Sequence, residues 1–126
     1  MEIPRDKISK WKIKIKSNIS TSLSDIHIGI GPKIIKSNLY NECWSVYSQC
    51  SNVYLHMKGK EFEYNNHNEK FKKNDIVEVI VDRKLGNLSF AINGIDFGIG
   101  CSNIPKEDPL YPTVVLFQQG LCVEIV

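Results

Sequence analysis

The residues of this 126-residue chain that could do chemistry are three histidines, four cysteines and a scatter of carboxylates. His27, His56 and His67 have no metal-ligand spacing relative to one another or to Cys43, Cys50, Cys101 and Cys122, and no CxxC pair occurs. Neither a metal nor another cofactor is therefore expected, and each histidine reads as a surface residue or a hydrogen-bonded structural one. Glu61 and Glu63 flank Phe62, so on a strand both carboxylates would share a face. Paired carboxylates can hydrolyse a glycosidic bond, but only as an acid and a partner roughly 5 to 10 Å apart in a cleft. Two glutamates on a short, polar-flanked strand read instead as a solvated face. Asp25, Asp75 and Asp82 stand at the ends of strand-like segments, where carboxylates commonly form Asx turns. No glycine-rich phosphate loop leads into a helix, and no nucleophile elbow is present. The chain is expected not to be an enzyme.

Charge excludes little by itself, since sixteen basic against fourteen acidic residues leave only +2. Composition says more: the basic residues are lysine except for Arg5 and Arg83, and the guanidinium fork is the group favoured for bidentate phosphate and base recognition. Lys10, Lys12, Lys14 and Lys16 do form a row, but they alternate with Trp11, Ile13 and Ile15. That pattern reads as the solvent face of a strand whose lysines block edge-to-edge aggregation. Nucleic acid is not an expected partner.

The elements that hold these residues are almost all strands. After "KWKIKIK" come "DIHIGIG", ending at Gly31-Pro32, then "CWSVYSQC", "VYLHMKG" and "EFEY", separated by Ser, Asn and Gly. A polar loop, "NNHNEKFKKND", leads to "DIVEVIVD", where Val77, Val79 and Val81 fall on one face and Ile76 and Ile80 on the other. Residues 82 to 86, "DRKLG", turn the chain, and "NLSFAI" returns with Leu88, Phe90 and Ile92 on one side. Asn93-Gly94 then predicts a type I′ hairpin turn, which needs positive φ at both central residues, before "IDFGIG". A Pro-bounded loop, "IPKEDPLYP", precedes "TVVLF" and "LCVEIV". No segment has a helical period, so the fold class is all-β, a two-sheet antiparallel sandwich. Trp11, Trp44, Phe90 and Tyr111 are expected in its core and the cysteines as buried thiols.

With 126 residues and no internal linker or repeat, one domain over residues 1–126 is expected. Charged and apolar residues alternate from the N-terminus, leaving no continuous apolar region for a signal peptide or a membrane span. The two sequons, Asn18-Ile19-Ser20 and Asn87-Leu88-Ser89, are easily accidental in an Asn-rich chain. The expectation is an intracellular protein, cytoplasmic or nuclear, without membrane insertion and monomeric in isolation.

The order of the motifs carries more than periodicity can. "DIVEVIVDRKLGNLSFAINGIDFG" resembles the hallmark of the SPRY (B30.2-like) family through Asp75, Asp82, Gly86, Leu88-Ser89-Phe90, Asn93-Gly94 and Gly98. Upstream, the Trp11 strand, "IHIGIG", "CWSV" and "VYLHMKG" resemble the family's opening strands, and Leu110-Tyr111-Pro112 resembles the motif before its penultimate strand. Glu78 stands where the family often has Gly. The resemblance runs from Trp11 to Val126 and implies a concanavalin-like sandwich, in a compact SPRY form excised from a longer protein. It further implies a non-catalytic module whose loops bind a peptide or a folded partner, as substrate recruitment for a ubiquitin ligase or as a scaffold.

The candidate loops are residues 31–42 and 117–120. In the first, Ile34, Ile35 and Tyr40 offer apolar contact and Lys33 and Lys36 attract an acidic ligand; in the second, Gln118 and Gln119 offer hydrogen bonds. Phe117 belongs to this set by position, although continuing "TVVLF" makes it read more readily as core. Convergence of the two loops at one end of the sandwich would make a single shallow site. The alternative function is a lectin-like carbohydrate binder, for which Trp11 and Trp44 would be the stacking platforms.

Overall fold

A computed structural model describes residues 1–18, 26–33, 42–49, 52–64, 71–117 and 119–126. Its regular structure there is ten strands: β1 (Ile8–Ile15), β2 (Ile26–Gly31), β3 (Trp44–Gln49), β4 (Asn52–Met57), β5 (Lys60–Glu63), β6 (Ile76–Asp82), β7 (Asn87–Ile92), β8 (Ile95–Cys101), β9 (Tyr111–Leu116) and β10 (Val123–Ile125). They form two five-stranded antiparallel sheets, sheet A in the order β10-β1-β6-β7-β8 and sheet B in the order β5-β4-β3-β2-β9. Every strand-like segment of the sequence is present, in order.

Alternation of residue type decides which face is buried. Along β6, Val77, Val79 and Val81 are fully buried while Ile76, Glu78 and Ile80 are half-buried. Along β1, Ile13 and Ile15 point inward and Lys10 and Lys12 stay exposed. The two inner faces meet in one core, where Ile26, Ile28, Ile30 and Val46 of sheet B oppose Ile13, Val79, Leu88 and Phe90 of sheet A. Gly29 lets β2 approach β3, because a Cβ there would lie 1.9 Å from the Trp44 carbonyl oxygen.

The turns follow their side-chain chemistry. Asp82 Oδ1 accepts from the backbone N–H groups of Lys84 and Leu85, an Asx turn that ends at Gly86 with φ +76°. Asn93 and Gly94 have φ of 53° and 83°, the type I′ geometry. Asn93 also reaches outside its turn: its Oδ1 accepts from the Ile76 N–H, and its Nδ2 donates to the buried Asp75. Asp75 in turn accepts from the Lys72 N–H, so one carboxylate joins the entry of β6 to the β7–β8 hairpin.

Three expectations are corrected. Trp11 is half-buried because it lies by the margin formed by the edge strands β9 and β10, where the core runs out, and Tyr111 because it stands on the outer face of sheet B, opposite Gly31. Cys122 is exposed, while Cys43 and Cys101 are buried and their thiols are pushed up to about 11 and about 12 by burial; Cys50 lies outside the described residues. Phe117 is not core, being 46% exposed just past β9. Arg83 lies in the turn as expected, and there it is only 1% exposed. Its guanidinium donates to the carbonyls of Ile3, Pro105, Lys106 and Asp108, tying the N-terminal segment to the chain that leads into β9. Burial, with Arg5 nearby, lowers its pKa from the usual arginine value.

Candidate interaction surface

Sheet B has an outer face that differs from an ordinary solvated one. The same alternation that turns Ile26, Ile28, Val46, Val53 and Leu55 inward turns His27, Ser45, Tyr47, Tyr54 and His56 outward. Tyr47 lies opposite Tyr54 in the β3–β4 register, their rings stacked with centroids 5.5 Å apart. On its other side Tyr47 stacks on His27 at 4.2 Å and an interplanar angle of 10°. Phe117 meets His27 edge-on at 5.1 Å. A row of rings thus crosses from β4 to the end of β9, with Tyr54 half-buried at one end and Phe117 exposed at the other.

Polar groups adjoin the row on the same face. His27 Nδ1 is 3.1 Å from Ser45 Oγ, and the His56 ring sits edge-on to His27 at 5.9 Å. Ser45 and His56 are opposite one another in register, and His56 Nε2 accepts from the Gly59 N–H. Both histidines are buried. Burial, with His56 nearby, takes the His27 pKa down to about 3, so its imidazole is neutral at pH 7. A serine beside a neutral histidine is a pairing that can serve nucleophilic catalysis. Here both groups are buried.

The β2–β9 register separates the candidate loops. Gly31 pairs with Tyr111 and Ile26 with Leu116, so Lys33 leaves one end of β2 while Phe117 lies near the other, about 17 Å away for a strand of this length. Lys33 is exposed beside Pro32, Tyr111 and Pro112. Gln119 is exposed in the turn that ends at Gly120, with φ +85°. Ile34, Ile35, Lys36, Tyr40 and Gln118 lie outside the described residues, as do Asp25 and His67. The described parts of the two loops therefore do not converge; Phe117 belongs with the ring row, and Lys33 does not. Sequence reasoning missed Tyr47, Tyr54 and the part taken by His27. Their signal was present in the outward positions of "IHIGIG" and "WSVYSQ", which carry His and Tyr where a solvated face would carry Lys or Glu.

Other candidates resolve simply. Trp44 is 6% exposed and Lys58 Nζ lies over its ring at 5.3 Å. Glu61 and Glu63 are exposed on the edge strand β5. Among the described residues no group of His, Cys, Asp or Glu is arranged to hold a metal ion, and no helix is long and apolar enough to cross a membrane.

Residues 9–126 match the family model of the SPRY domain. This chain belongs to the SPRY domain family. The SPRY domain of human HERC1 is a similar solved structure, with a TM-score of 0.77 at 18% identity, over 99% of this chain and 77% of that one. No curated protein matches the chain. SPRY domains are, as a family, protein-interaction modules, and the two five-stranded sheets here are the framework of one.

Proposed function

We propose that this SPRY domain is a non-catalytic module that binds a peptide or a folded partner at the exposed Phe117 end of sheet B, recruiting a substrate to a ubiquitin ligase or serving as a scaffold. The observation that carries the reading is the ring row from Tyr54 through Tyr47 and His27 to Phe117, rigid in its centre and open at its ends. Tyr47 and His27, only 1% and 3% exposed, hold the centre of the row inside the domain, and the group open to a partner at the β9 end is the Phe117 ring, with the exposed Gln119 amide in the turn that follows. Gln118 is proposed to complete the surface; Lys33 leaves the far end of β2, and Ile34, Ile35, Lys36 and Tyr40 of the same loop are proposed to meet a partner from that end. The carbohydrate reading loses one of its two platforms, since the Trp44 ring is buried and covered by Lys58.

Peptide display followed by pull-down tests the proposal. Phe117→Ala should weaken the selected partner by tenfold or more, as for an aromatic contact residue, and Gln119→Ala by less, while Lys12→Ala on sheet A should leave it unchanged. Equal binding by all three variants would reject this face.

A further inference from the structure

Asn93 and Gly94 are the only Asn-Gly pair of the chain, and the pair carries covalent chemistry as well as a turn. A glycine nitrogen, with no side chain beside it, is the backbone nitrogen that most easily reaches the amide of a preceding asparagine. When the Gly94 nitrogen attacks Asn93 Cγ, a C–N bond forms, the Cγ–Nδ2 bond breaks, and the amide group leaves with the Gly94 proton as ammonia. Water then opens the five-membered imide at one of its two carbonyls, giving aspartate or isoaspartate at this position.

The surroundings of the turn do not block the reaction. Asn93 and Gly94 are both exposed, and a Cβ built at Gly94 meets nothing within 4 Å. What opposes it is the direction in which the Asn93 side chain is held. Oδ1 accepts from the Ile76 N–H at 2.9 Å, Nδ2 donates to Asp75 Oδ1 at 2.9 Å, and the Asn93 N–H donates to the Ile76 carbonyl. All these partners stand at the entry of β6. Gly94 leads instead into β8, and in sheet A β6 and β8 flank β7 on opposite sides. The amide is drawn toward β6 while its attacker lies toward β8, so ring closure requires the side chain to leave both partners first.

The product does not fit the place that the amide leaves. Asp75 is 5% exposed, and its other oxygen, Oδ2, accepts from the Lys72 N–H. Nδ2 of Asn93 supplies a hydrogen to Oδ1 of Asp75. A carboxylate oxygen in the same place has none to supply, and two carboxylates at hydrogen-bond distance disfavour each other's ionised form. Isoaspartate fits less well still, because it adds a backbone atom to a two-residue turn whose ends are set by the Ile92–Ile95 pair.

We propose that Asn93 is a modification site that records opening of the β7–β8 hairpin: the closed fold holds its amide away from Gly94, the open chain loses that amide as ammonia, and the acid formed prevents the tie to Asp75 from re-forming. The change is one-way, since water opens the imide to an acid and never to the amide. Domains that open often are marked, and the mark loosens the entry of β6.

The test incubates the native domain and the same chain in urea at neutral pH. Mass spectrometry of the peptide holding residues 93 and 94 and enzymatic methylation of isoaspartate read the conversion. It is expected to be at least tenfold slower in the native domain, where it waits for local opening. Asp75→Ala should speed conversion in the folded state more than Tyr64→Phe does, with the two compared at urea concentrations that give equal stability. Asn93→Asp imitates one product and should lower the thermal midpoint by several degrees. Adding Asp75→Asn puts the amide on the other side of the same contact, where the bonds to Ile76 and Lys72 can also re-form, and should recover most of the loss. Equal conversion in the native domain and in urea would overturn the proposal, as would equal rates for Asp75→Ala and Tyr64→Phe at matched stability, or an Asn93→Asp domain as stable as the parent. If Asp75→Ala does not fold, the exchanged pair decides: a double variant no more stable than Asn93→Asp alone would also overturn it.

Discussion

The two margins of the sandwich are finished differently. Where β5 and β8 form the edges, Tyr64 crosses the gap: from the end of sheet B its hydroxyl donates to the Gly98 carbonyl and accepts from the Phe90 N–H, both in sheet A. Gly98, at φ +84°, lies in the irregular stretch of β8 where the register against β7 shifts, and the hydroxyl occupies the opening. The ring packs edge-on against Phe97 and Phe90, and burial pushes the phenol pKa up. Where β9 and β10 form the edges, no described side chain bridges the sheets in this way, and the groove lined by Trp11, Val114 and Ile125 remains. A margin is sealed when one residue can both fill the space and satisfy the backbone it interrupts. A margin without such a residue leaves apolar surface and a strand edge exposed.

The largest effect should come from breaking the seal. Tyr64→Ala removes a buried ring and leaves the Phe90 N–H and Gly98 carbonyl without their partner, a loss of about 4 kcal/mol in denaturant unfolding. Tyr64→Phe should cost about 1 to 2 kcal/mol through the lost hydrogen bonds alone. A Tyr64→Ala domain as stable as the parent would show that the two margins do not differ as described.

Acid acts nearer the open side, because His27 sits on β2, next to β9. Its folded pKa of about 3 lies below the ordinary 6.5, so the unfolded chain takes up the proton first. The stability held above pH 6.5 is lost as the pH falls from there toward 3, at up to about 1.4 kcal/mol per pH unit. Thermal melts across that window should show the decline, and His27→Gln should reduce it; an unchanged slope in that variant would contradict the assignment.

In the β7–β8 hairpin beside the sealed margin, Gly94→Val should cost about 1 to 2 kcal/mol. A Cβ at Gly94 meets nothing within 4 Å, so the cost lies in the positive φ alone, and Gly94→Asn should cost less. At the open margin, by contrast, Ile125→Ser should shift stability by less than about 0.5 kcal/mol, since the side chain is already in water. A large loss there would mean that the groove is part of the core.

Period-two patterning and turn residues made the strands, their order and the Asn93-Gly94 geometry legible before any coordinates, because each is a local property. Nothing local marks Arg83 as buried: in "DRKLG" it reads as a solvated turn residue, and its carbonyl partners come from Ile3 and from residues 105–108, remote in sequence. Tyr64 was equally silent, since its partners lie on β7 and at the Gly98 bulge. Phe117 continued an apolar run and so read as core, but β9 is an edge strand and the run outlasts the core. The loop residues were chosen by resemblance, and only strand register reveals that Lys33 and Phe117 stand at opposite ends of β2.

Amide hydrogen exchange on the native domain tests the contrast between margins most directly. The Phe90 amide, bonded to Tyr64, and the amides of β7 should open only with global unfolding, while those of Val114 and Leu116 on β9 and Glu124 and Ile125 on β10 should exchange orders of magnitude faster through local opening. Equal protection of β7, β9 and β10 would contradict the account, because both margins would then be closed.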